Sequence, residues 1–174
     1  MGFYSVNQII TDAKKHGVEI LPLCINNSLW DNTIERNSKN DLAIRIGFRQ
    51  IKGLQKSLIE KVISVRENGF QNIYDVWSRS ELSYGTLSKL IKADCFSNLG
   101  LKRVEALWEA QALRYQEKVS LFKSSLSNSN RKIKPAKLPS TTTGNELLKD
   151  YNALNFSLRT HPMALLRHIL NTRY

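Results

Sequence analysis

Apolar positions change their spacing several times along the 174 residues, and each change predicts an element. Val6, Ile9, Ile10 and Ala13 recur at helical steps as far as Gly17, after which Val18-Glu19-Ile20-Leu21 rises as a strand into Pro22. Asn26 to Asn40 is polar and without period, which predicts a surface loop. From Ile44 the period is two: Ile44, Ile46 and Phe48 alternate with Arg45, Gly47 and Arg49, as in a half-buried strand. Past Ile51-Lys52-Gly53-Leu54-Gln55-Lys56 the spacing lengthens. Leu58, Ile59, Val62, Ile63 and Val65 mark one face of a helix whose other face carries Lys56, Glu60, Lys61 and Arg66. Phe70, Ile73, Val76 and Trp77 outline a short helical segment over the core. Leu87, Leu90, Ile91 and Ala93 then predict a helix capped by Ser83, a tight turn from Asp94 to Gly100, and a further helix with Val104, Leu107, Trp108 and Ala112 in its apolar row. Trp108 there reads as core rather than as a stacking platform.

The pattern gives a mainly α chain with two glycine hairpins, the first half of a helix-hairpin-helix and the second a fuller one, and a small β element near the N-terminal part. Its organising stretch is the corner at Gly53. A glycine lets the chain turn sharply and approach another backbone, and the helix behind it aims free N–H groups and its positive dipole end at the same point. An anion fits there, and Lys52 and Lys56 flank it. The plain alternative is a turn glycine beside solvated lysines. The arrangement recurs downstream, however, where Gly100 precedes Lys102 and Arg103 at another helix start. Two such corners suit the phosphates of a duplex and read no base.

Charge narrows the partner. The formal net charge is +11, with 41% hydrophobic residues to build a core. No basic helix carries the bulky apolar face that lies on lipid, so nucleic acid is favoured over a membrane surface. The N-terminus lacks the basic and apolar regions of a leader and no run of 18 apolar residues occurs, so a cytoplasmic location is expected. Cys24 and Cys95, far apart and without neighbouring histidines, indicate neither a disulfide framework nor zinc, and read as small buried thiols. Residues 123–145 are rich in Ser, Thr, Asn, Lys and Pro and read as a flexible basic linker. Leu147, Leu148, Tyr151 and Leu154 follow as a helical face, and Pro162 starts a last helix through Met163, Leu165, Leu166 and Ile169. An apolar helix so near the last residue, with no strand to pack on, is expected of a piece of a longer chain.

The segments AIRIGFRQIKGL, IYDVWSR, LIKADCFSNLG and LKRVEALWEA, in this order, resemble the tandem helix-hairpin-helix region of bacterial C-family DNA polymerases, the polymerase III alpha subunits. AKKHGVEILPLCIN is similar to the end of their fingers domain, and DYNALNFSLRTHPMALLR to the stretch leading towards their OB domain. Trp30-Asp31 and LNFSLRTHP point to the error-prone branch. The resemblance implies four parts: 1–41 the end of a fingers-like segment, 42–122 the tandem hairpins, 123–145 the linker, and 146–174 helices leading towards an OB domain.

The expected DNA-contacting residues are Arg49, Lys52, Gly53, Leu54, Gln55 and Lys56 in the first unit, and Ser97, Asn98, Leu99, Gly100, Lys102 and Arg103 in the second, the resemblance covering the turns and the flanking cations adding charge. Gln55 stands where the family has a second glycine. Leu121 and Phe122 align with a clamp-binding peptide, but Lys118 replaces its glutamine. The whole parent would be a DNA-directed DNA polymerase using Mg2+ held by clustered aspartates. No Asp-x-Asp occurs here, and Asp12, Glu19, Asp31, Glu35 and Asp41 lack metal-ligand spacing, so no catalytic residue, metal or cofactor is assigned to this piece. The expected role is sequence-independent binding of duplex DNA in support of replication or translesion repair. The alternative is docking to a sliding clamp or polymerase accessory protein through Leu121 and Phe122, and salt dependence separates the two.

Overall fold

The computed structural model describes residues 3–119 and 141–171. Helix α1 (Val6–Lys15) opens with a capping box in which Ser5 and Gln8 bond each other's backbone amides. Three short strands follow, β1 (Glu19–Leu21), β2 (Thr33–Arg36) and β3 (Leu42–Arg45). β3 lies in the middle, parallel to β1 and antiparallel to β2. Then come a 3-10 turn at Phe48–Gln50, α2 (Lys56–Ser64), α3 (Ile73–Ser80), α4 (Tyr84–Lys92), a second 3-10 turn at Ser97–Leu99, α5 (Arg103–Val119), α6 (Thr143–Leu154) and α7 (Pro162–Asn171). The fold is mainly α with a small sheet near the N-terminal part, as the pattern predicts.

Phe48, Phe70, Phe96 and Phe156, drawn from four separate stretches, are fully buried in one core with Ile25, Ile59, Leu87, Leu90 and Val76. Each such side chain contributes about 1.5–3 kcal/mol by leaving water. The N-terminal segment is sewn to that core by polar bonds. The Asn26 side chain donates to the Phe70 carbonyl (2.9 Å) and accepts from its amide (2.7 Å), and the Ile25 amide donates to the Cys95 carbonyl (2.9 Å). Both cysteines are buried thiols.

Three local expectations are corrected. The stretch Asn26 to Asn40 is not all loop, because Thr33–Arg36 pairs with β3. In β3 the inward positions are Ala43 and Arg45, while Ile44, expected inward, is only half-buried. Arg45 can be buried because Glu35 on β2 takes its guanidinium (Nε to Oε1 2.8 Å) and the Pro22 carbonyl accepts from Nη1 (3.0 Å). In α5 the buried row is Arg103, Ala106, Ala110 and Leu113, which leaves Trp108 54% exposed rather than in the core.

Candidate nucleic-acid interface

The first corner is built by glycine geometry and held by cations. Gly53 has φ +65, a left-handed conformation that a side chain rarely tolerates. Lys89, reaching from the last turn of α4, donates from Nζ to the Gly53 carbonyl (2.5 Å). Lys52 donates from its amide to the Ala153 carbonyl (3.0 Å) and from Nζ to the Tyr151 carbonyl (3.1 Å), so the end of α6 supports the corner from behind. Leu54 packs against the core. Gln55, in the place of the family's second glycine, has φ −98 and ψ 137, extended backbone that any residue adopts; the substitution costs no strain.

Gln55 occupies the N-cap of α2 yet its side chain makes no capping bond, and the first turn carries no acid. Ser5, Asn72, Ser83 and Thr142 cap α1, α3, α4 and α6. Among the described residues the amides of Lys56, Ser57 and Leu58 meet no side-chain acceptor, at a helix end whose first turn carries no compensating acid. Lys56 is exposed beside them, 3.6 Å from Glu60, and Arg49 is exposed, 3.0 Å from Asp31. Pairs this open to water are worth little and exchange readily for a phosphate.

The second corner differs. Gly100, at φ +75, closes the 3-10 turn with nothing within 4 Å of where a Cβ would sit, and Ser97, Asn98, Gly100 and Lys102 are exposed while Leu99 packs on the core. Its helix start is already satisfied: the Lys102 amide donates to Glu105 Oε2 (3.2 Å). Arg103 does not join Lys102 on the outer side. Its side chain is 2% exposed and its guanidinium is enclosed by Asp94, Glu146 and Asp150, with 2.9 Å from Nη1 to Glu146 Oε2 and 3.6 Å from Nε to Asp94 Oδ1. Arg103 is thus an internal ion-pair centre, and its expected contact with a phosphate is corrected. Arg159 adds a second guanidinium to the same carboxylates, 2.5 Å from Asp94 Oδ2 and 3.6 Å from Asp150 Oδ2.

Burial pushes the Asp94 carboxyl above its usual range, against the charges of Arg103 and Arg159. For Glu146 burial acts upward too, but hydrogen bonds from Lys149 and Thr141 and the charges of Arg103 and Lys149 together hold it below the usual value. Lys89 is the residue that sequence reasoning passed over. Its only signal was a cation in the last turn of the helix before the second corner, and nothing local tied it to Gly53. Leu121 and Phe122 lie outside the described residues. Among the described residues no group of three or more His, Cys, Asp or Glu is placed to hold a metal ion, and no helix is long and apolar enough to cross a membrane.

The chain is similar to known proteins over nearly all of its length. The family described as helix-hairpin-helix motif matches residues 17–106. The chain is similar to an error-prone DNA polymerase of Ruegeria pomeroyi, 39% identical over 96% of this chain and 15% of that protein. It is also similar to error-prone DNA polymerase 3 of Agrobacterium fabrum, 40% identical over 99% of this chain and 17% of that protein. Error-prone DNA polymerase 1 of Rhizobium meliloti is 34% identical over 99% of this chain. The chain thus spans only about a sixth of the length of these relatives.

Proposed function

Because the chain belongs to the helix-hairpin-helix family, its residues 17–106 matching that motif, we propose that it binds duplex DNA through backbone phosphates, without reading base order. In this reading it serves as the template-holding segment of an error-prone DNA polymerase acting in replication or translesion repair in the cytoplasm. Polymerase chemistry and its Mg2+ would then belong to the remainder of the longer enzyme. The observation that carries the reading is the open end of α2: amides without a side-chain acceptor among the described residues, behind a left-handed glycine whose carbonyl holds Lys89, with Lys56 exposed in a first turn that carries no acid. A phosphate would accept from this helix start, where α1, α3, α4 and α6 each have an amide bonded to a capping side chain.

The two corners contribute unequally. The first supplies amides and cations together. At the second, Glu105 already occupies the Lys102 amide and Arg103 is turned inward, so Ser97, Asn98 and the Lys102 ammonium offer looser contacts to a neighbouring phosphate.

Fluorescence anisotropy of a labelled duplex tests this. Reversing Lys56 to Glu is expected to weaken binding about tenfold at low salt and to reduce the slope of log affinity against log salt by roughly one contact. Scrambling the base sequence is expected to change little. An affinity that persists in salt and is indifferent to Lys56→Glu would favour docking to a protein partner instead.

A further inference from the structure

Away from both corners, α1 and the stretch Ser157 to His161 face each other across an open cleft of about 350 Å³. Thr11, Lys14 and Lys15 line one wall, and Arg159, Thr160 and His161 the other. The walls are tied together: Lys14 donates from Nζ to the Leu158 carbonyl (2.8 Å), and its other two ammonium protons have no partner among the described residues. The Met163 amide donates to His161 Nδ1 (3.2 Å), so a neutral ring carries its proton on Nε2 and remains a donor. None of the described lining residues is acidic. Asp12, the acid of α1, faces His16 instead, with 3.6 Å between Oδ1 and Nδ1. Arg159 is neutralised by Asp94 at 2.5 Å, Asp150 at 3.6 Å and Glu146 at 3.9 Å, whereas Lys15 is exposed at the rim.

A concave surface lined by the two lysines of α1 and an imidazole donor focuses positive potential on its interior. We propose that this cleft binds a phosphate group, at a place separate from the hairpins. Compact donors of this kind suit a tetrahedral anion, whose oxygens accept from several directions at once. Two sources share that chemistry: a backbone phosphate of a nucleic-acid strand running past α1, and the phosphate chain of a free nucleotide.

The test follows the backbone amides of Thr11, Lys15, Thr160 and His161 by two-dimensional NMR of this chain during titration with inorganic phosphate. Saturable shifts at these four positions are expected. Lys15→Glu should weaken the response at least threefold, and Lys39→Glu, a reversal on the exposed loop between β2 and β3, should not. The double change Lys14→Glu with Lys15→Glu should abolish it; if that variant loses its fold, the single variant decides. Parallel titrations with a duplex oligonucleotide and with a nucleoside triphosphate identify the source as whichever shifts the same amides at lower concentration. Absence of saturable shifts, or equal losses in Lys15→Glu and Lys39→Glu, would overturn the proposal. The phosphate readout does not involve the hairpins, so it stands or falls apart from the Lys56→Glu result.

Discussion

Replacing Arg103 with Met separates an internal role from a phosphate contact. Around its guanidinium are Asp94, Glu146 and Asp150, whose side chains are 22%, 14% and 6% exposed. Three cations, Arg103, Arg159 and Lys149, balance these three carboxylates. Methionine fills much of the volume but leaves one negative charge without a partner, chiefly at Asp150, the most buried of the three. Stranding a buried charge in this way costs about 3–5 kcal/mol. At roughly 2–4 °C per kcal/mol for a domain of this size, the melting temperature should fall by about 6–20 °C. Thermal unfolding followed by circular dichroism reads the loss directly. Adding Asp150→Leu to Arg103→Met should recover a large part of it, because the pair is coupled. A drop under about 2 °C together with a clear loss of duplex affinity would refute this reasoning and return Arg103 to the DNA face.

Two further outcomes follow from the same contacts. Gln55→Asp should cap α2 and stabilise the protein by about 1 kcal/mol, yet place a carboxylate where a phosphate is proposed to sit; thermal melts and anisotropy should therefore move in opposite directions, with duplex affinity several-fold weaker. Glu146 titrates below its ordinary value of 4.5 in the folded chain, so its contribution is present above that pH and is lost as pH falls through the folded value. The stability deficit of Glu146→Gln should accordingly be full at pH 7 and shrink on acidification below pH 4.5, as chemical denaturation across that range would show. Asp94 is shifted upward and acts with the opposite sign, its stabilisation fading as pH rises through its folded value, so Asp94→Asn should not reproduce that profile.

What could be read from the chain was local. Ser83 caps α4 through the Thr86 amide, Gly53 takes the left-handed turn, and the helical faces of α2 and α4 bury Ile59, Val62, Leu87 and Leu90. What escaped was set by distant partners. Arg103 looks like Lys102 in sequence, and Glu146 and Asp150, 43 and 47 residues further on, draw it inside together with Asp94. The β2 segment Thr-Ile-Glu-Arg is short and polar, and its strand character comes from pairing with β3 and from the Glu35 grip on Arg45. In α5 two rows share helical spacing, and the buried one is led by Ala106 and Ala110, whose small side chains signal less strongly than Leu107 and Trp108. Lys89 reaches Gly53 from 36 residues away, a contact no local pattern encodes.

Amide hydrogen exchange at Lys56, Ser57 and Leu58, measured by NMR with and without saturating duplex DNA, addresses the open helix end itself. In the free chain these uncapped amides should exchange rapidly, and bound duplex should slow them at least tenfold through direct phosphate acceptors. Unchanged rates at these three positions, under conditions where anisotropy shows the duplex fully bound, would contradict the account.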